Sequence, residues 1–153
     1  MGGMTDAPGD DLRAFEVRDD AGLEQLVRAL LGGAYAPRVW LLFLDARGRL
    51  TDPILPIDGL PRDTRSRVRD PELGEVTHAE LLARRAADFA GLVRADAVVF
   101  VWERPGRHRV AGGLREWIGG IAAAADGAGL ALRGQVVLSS SGTRVVRADQ
   151  AGS

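Results

Sequence analysis

The sequence has no cysteine, so disulfide bridges, thiolate catalysis and cysteine-ligated metals are excluded. It also has no lysine. All 20 basic residues are arginine, which we read mainly as a coding bias of a GC-rich genome and not as a sign of guanidinium chemistry. Charge of neither sign dominates: the formal net charge is −1, so no global field draws the chain to nucleic acid or an anionic membrane. No apolar run comes near the roughly 20 residues of a spanning helix. The acidic, Gly/Pro-rich start "MGGMTDAPGDDLR" has no apolar core of the kind a signal peptide needs. Two histidines, His78 and His108, are too few and too badly spaced for a zinc site of their own.

What is present has the balance of a soluble globular domain, with 46% apolar and 27% charged residues over 153 positions. Residues 1–10 read as a flexible tail and 11–150 as one domain, with a reducing cytoplasm the compartment that suits the missing cysteines. "RAFEV" (Arg13 to Val17) reads as a short first strand. "DDAGLEQLVRALLGG" predicts a helix with Asp19 or Asp20 as cap, Leu23, Leu26, Val27 and Leu30 on one face, and Gly32–Gly33 as its stop. Val39 to Leu44 is nearly all apolar, as in a central strand, and the Asp45–Gly48 turn leads to a second strand, "LTDPILPI". Pro53 and Pro56 lack ladder donors, which places that strand at an edge or makes it irregular.

Gly59 to Gly74 reads as one long loop carrying Arg62, Arg65, Arg67 and Arg69. Interleaved Asp63, Asp70 and Glu72 make it a solvated segment in preference to a nucleic-acid contact. Thr77–Glu80 is a capping box opening a helix with Leu82, Ala86, Phe89 and Val93 in a stripe. Val98 to Trp102 is a buried strand ending in the charged turn "ERPGRHR". A third helix presents Leu114, Trp117, Ile118, Ile121 and Ala125, and "LALRGQVVLSSSGTRVVR" closes the chain as two strands around a Ser/Gly turn. That turn lacks the glycine-flanked serine of a nucleophile elbow. The sum is a mixed α/β (α+β) chain, a single mixed sheet flanked by three helices in the order β-α-β-β-α-β-α-β-β.

Between Val39 and Arg147 this order resembles the JAB/MPN metal-hydrolase domain, which is cytidine-deaminase-like in fold, and most closely its bacterial RadC-like branch. The resemblance rests on the hairpin "LLFLDARGRL…PILPIDG", the helix "THAELLARRAADFAGLVRA", the buried strand with its Pro105–Gly106 turn, the next helix and the last two strands. It implies two histidines, a serine and an aspartate as metal ligands, and those positions hold Trp102, Arg104, Gly112 and Arg115. Tryptophan offers no lone pair, and arginine is a permanent cation that repels a metal ion. The resemblance therefore implies a family member with neither catalytic residues nor a metal or other cofactor. A pattern of LDA-x-GR, LP-x-D and a strand ending in RPG is similar to that of small bacterial proteins and implies no activity.

Three functions stay open on this reading. The first is a non-catalytic binding module with Trp102, Glu103, Arg104 and Arg115 as a pocket for a small anionic ligand, although Glu103 or Glu116 can instead pair with those arginines. The second is a homodimer or protein-partner scaffold, suggested by the apolar residues Ile54, Leu55, Ile57 and Leu60. The third is a metal-independent enzyme using the strand-end carboxylates Asp45, Asp58 and Glu103.

Overall fold

The computed structural model describes residues 12–61, 63–64, 66–106 and 112–147. The first helix, α1 (Asp20–Leu31), is capped by Asp19, whose carboxylate accepts from the Gly22 N–H at 2.7 Å. It ends where Gly32 turns to φ 79°. The strands β1 (Arg38–Leu44) and β2 (Leu50–Ile57) form the expected antiparallel hairpin. Asp45 sets its turn by accepting from the N–H groups of Arg47 and Arg49, each at 2.9 Å. Gly48 is required there: its φ is +79°, and a Cβ would lie 2.6 Å from the Val17 carbonyl oxygen.

Two short strands follow, β3 (Arg67–Asp70) and β4 (Gly74–Thr77), then α2 (His78–Leu92), β5 (Ala97–Arg104), α3 (Gly112–Ala128), β6 (Leu132–Ser139) and β7 (Gly142–Val146). Five strands make one mixed sheet in the order β2-β1-β5-β6-β7. β5 and β6 are parallel, with α3 crossing between them; the other neighbours are antiparallel. β2 is an edge strand, as its two prolines require, and its pairing with β1 is irregular around Pro53.

Helices cover both faces. α1 packs Leu23, Leu26 and Val27 on Leu42, Leu44, Val99, Val101, Val136 and Leu138. α2 and α3 pack Leu82, Ala83, Ala86, Trp117, Ile118 and Ile121 on Leu41, Phe43, Val98, Phe100, Trp102 and Val137. The unbroken apolar run of β5 follows from this, because alternate side chains enter two different cores. The stripes expected of α1 and α3 are the buried faces observed. The capping box at Thr77 is also present, with Glu80 N–H to Thr77 Oγ1 at 3.1 Å and Thr77 N–H to Glu80 Oε1 at 2.7 Å. No described helix is long and apolar enough to cross a membrane.

Three expectations need correction. "RAFEV" is not a strand: residues 12–14 form a helical turn, and only Glu16 bridges, to Arg49. The sheet is not single. The segment read as one long loop contains β3, which pairs with β4 as a separate two-stranded sheet. Buried Asp70 organises that hairpin: it accepts from the N–H groups of Glu72 and Leu73 at 3.0 Å each and from Arg85 Nη2 at 2.5 Å. Burial raises the Asp70 pKa, but these backbone donors and the arginine outweigh it and leave it lowered. A strand reading RVRD has no apolar alternation by which periodicity could find it.

Candidate functional site

The residues singled out in sequence lie at the carboxyl end of β5. Pairing places Arg104 beside Ser139 at the end of β6, and Glu103 opposite Arg38 at the start of β1. Successive strand residues point to opposite faces, so the group splits. Trp102 and Arg104 lie on the α2/α3 side, with the guanidinium 5.7 Å above the indole ring. Glu103 points to the α1 side. Arg115 is exposed in the first turn of α3.

Trp102 is fully buried. Its indole N–H donates to Gln135 Oε1 at 2.9 Å, and Gln135 Nε2 donates to the Ile118 carbonyl at 2.9 Å. Its ring packs 5.8 Å from Trp117 and 6.1 Å from Phe100, centroid to centroid. Trp117, expected in the core, is there, and its N–H reaches the Pro61 carbonyl at 2.9 Å, tethering the β2–β3 segment over α3.

Glu103 is only 1% exposed and accepts four hydrogen bonds: from Arg38 Nε at 2.7 Å, Trp40 Nε1 at 2.8 Å, Ala36 N–H at 3.0 Å and Tyr35 N–H at 2.5 Å. Burial acts to raise its pKa. The bonds from Arg38, Tyr35, Trp40 and Ala36 outweigh that and hold it at about 2, against the ordinary 4.5. The expected pairing of Glu103 with Arg104 or Arg115 does not occur: its ion-pair partner is Arg38. Arg38 also lies 5.1 Å above the Trp40 ring, and its own pKa is raised, first by the bond to Glu103.

Arg104 is half-buried. Its Nη1 donates to the carbonyls of Glu103 at 2.8 Å and Arg38 at 3.2 Å. Burial lowers its pKa, opposed by the nearby charge of Glu103. The turn that follows is locked to the β6–β7 hairpin: Gly106 N–H donates to Ser140 Oγ and Ser140 N–H to the Gly106 carbonyl, both at 2.8 Å. Gly106 sits at φ 115°, a conformation suited to glycine. Ser139 and Ser141 hydroxyls are 3.1 Å apart in that hairpin, which is the turn expected of them.

The strand-end carboxylates do not converge. Asp58 follows β2 at the Glu103 end of the sheet and acts on Arg38 through its charge. Asp45 follows β1 at the opposite end and is taken up by its own turn, whose Arg49 N–H is the first cause of its lowered pKa. Ile54, Leu55, Ile57 and Leu60 are half-buried and turn inward against the two cores. Arg67 and Arg69 are exposed on β3, Arg69 paired in register with Glu75, while Arg62, Arg65 and His108 lie outside the described residues. His78 opens α2, and no group of three or more acidic or histidine side chains among the described residues is placed to hold a metal.

Sequence reasoning did not bring Gln135, Arg38, Trp40 or Ser140 to this end of the sheet, although it named Trp40 as a sheet-packing aromatic and Ser140 as part of a turn. Gln135 carried a usable signal, since an amide inside the apolar run "QVVL" must find a buried partner. The others act through tertiary contacts that no local pattern announces. No protein-family model matches the sequence, and no curated protein is significantly similar to it.

Proposed function

We propose that this chain is a non-catalytic binding or interaction module on a degenerate JAB/MPN-like (cytidine-deaminase-like) scaffold. The order of hairpin, helix, buried strand, proline turn, helix and two strands supports that scaffold, as do helices on both faces of a mixed sheet. The observation that carries the reading is Trp102. At a position where the resemblance implies a metal-ligating histidine, this chain has a fully buried indole whose N–H is turned to Gln135. The residue two further on is a cation. A carboxylate enzyme is disfavoured because Glu103, with four donors and a pKa near 2, is a poor proton acceptor at neutral pH. A thermal-shift screen with nucleotides and sugar phosphates tests the reading. A ligand that raises Tm beyond an ionic-strength control supports it, and a screen without such a ligand counts against the pocket.

A homodimer is the second reading. Leu92, at the end of α2, is 80% exposed. It lies in sequence beside residues lining a cup of about 180 Å³, among them Ala87, Ala90, Gly91, Ala95, Ala97 and Ala131. Light scattering at high concentration decides it: a dimer mass supports this reading and a monomer removes it.

A further inference from the structure

We propose that Arg104 anchors a site for a small oxyanion, a carboxylate or phosphate group held by the free edge of its guanidinium. The inference rests on the binding-module reading and names the class of ligand. Four features of the residue argue for it.

The first is charge without a counter-charge. Among the described residues Arg104 has no carboxylate partner, whereas Arg38 is paired with Glu103. Glu103 precedes Arg104 in the chain, yet it points to the other face and has its oxygens occupied by four donors. Its field reaches Arg104, but its hydrogen-bonding capacity does not. A cation drawn partly out of water gains most from an anion that can also accept its protons.

The second is a divided guanidinium. Both protein bonds come from Nη1, to the Arg38 and Glu103 carbonyls. Nε and Nη2 have no hydrogen-bond partner among the described residues, and the side chain is only half-buried. The parallel N–H bonds of that Nε/Nη2 edge match two oxygens of one carboxylate or phosphate.

The third is rigidity. The guanidinium lies over the Trp102 ring, and Trp102 is itself fixed by the 2.9 Å bond to Gln135 and by packing on Trp117. A cation held on one side by an aromatic face and on another by two carbonyls loses little side-chain freedom when a ligand arrives. The fourth is place. Arg104 ends β5 on the α3 side, at the carboxyl ends of the parallel pair β5 and β6 that α3 connects, and sheets with helices on both faces take ligands at such ends.

The test uses the full chain with inorganic phosphate and with acetate as separate probes, each against sodium chloride at equal ionic strength. Binding is read from Tm and from the Arg104 Nε–H resonance. The expected result is a saturable Tm rise and a saturable shift of that resonance with at least one probe, and which probe does so separates phosphate from carboxylate ligands. Arg104→Gln should weaken the binding by about tenfold or more, and Arg104→Lys should fall between, since it keeps the charge and loses the fork. Phosphate and acetate both behaving like chloride would overturn the proposal, as would equal binding by Arg104→Gln. The resonance in the unmodified chain decides the matter even where a variant fails to fold. A ligand from the wider screen whose effect survives Arg104→Gln leaves the binding-module reading standing and removes this one alone.

Discussion

Glu103 and Arg104 are neighbours in sequence and meet opposite environments, because a strand sends successive side chains to opposite faces. Glu103 enters a closed arrangement of four donors that ties the segment before β1, through Tyr35 and Ala36, to the end of β5. Its pKa is depressed in the folded chain from 4.5 to about 2. The sign follows: its contribution to stability is complete above the unfolded value and is lost as pH falls through the folded one. A depression of that size corresponds to about 3 kcal/mol. Acid unfolding followed by tryptophan fluorescence should therefore show stability declining between about pH 4.5 and 2. Glu103→Gln should lack that portion of the decline. At neutral pH it should be less stable by about 3–5 kcal/mol, because Arg38 keeps a charge without its partner. A Glu103→Gln variant with unchanged denaturant midpoint would show that the four bonds contribute nothing net.

Packing between elements depends on small residues at single points. At Gly120 of α3 an added Cβ would lie 2.8 Å from the Ala79 Cβ of α2, closer than two such carbons can sit. At the adjacent Gly119 nothing lies within 4 Å of the same added atom. Alanine is the better helix former by about 1 kcal/mol at either position. Gly119→Ala should therefore raise the urea midpoint, and Gly120→Ala should lower it by pushing the two helices apart, a cost of about 1–3 kcal/mol. Both variants moving in the same direction would mean that α2 and α3 adjust freely. The helices themselves were legible in sequence: a cap at Asp19 or Asp20, the Thr77 capping box and the apolar stripes are local signals. Asp19 is the cap, the box forms, and in α2 Leu82 and Ala86 are buried while Phe89 is half-buried and Val93 falls at the C-cap. The β3–β4 hairpin was not, because its strands are held by Asp70 and Arg85 from outside any periodic pattern.

At the scale of the molecule, both sheet edges carry a guard. β2 contains Pro53 and Pro56, which have no N–H to offer a further strand. β7 has its Val145 N–H taken by Glu24 of α1 at 2.8 Å. Glu24→Ala frees that donor. It should raise light scattering on prolonged incubation at high concentration, while the unmodified chain stays clear. Equal scattering by the two would show that the edge is protected by other means. A dimer of this chain would then use a helical surface and not strand addition. This differs from the suggestion of the apolar residues near β2, which face inward.

Composition and local pattern determined what this protein lacks, the three long helices, the two hairpins flanking the buried strand β5, and the edge position of β2. These depend on backbone sterics, caps and periodicity, all of which act within a few residues. Tertiary structure alone decided how the cluster after Val101 divides. Pairing with β1 and β6 set which face each side chain took, giving Trp102 to Gln135, Glu103 to Arg38 and Trp40, and Arg104, through Nη1 alone among the described contacts, to the carbonyls of Arg38 and Glu103. The partners lie between 33 and 68 residues away, except the Glu103 carbonyl that Arg104 meets beside it. Hydrogen-bond partners at such separations are chosen by the packed sheet, and no sequence period encodes them.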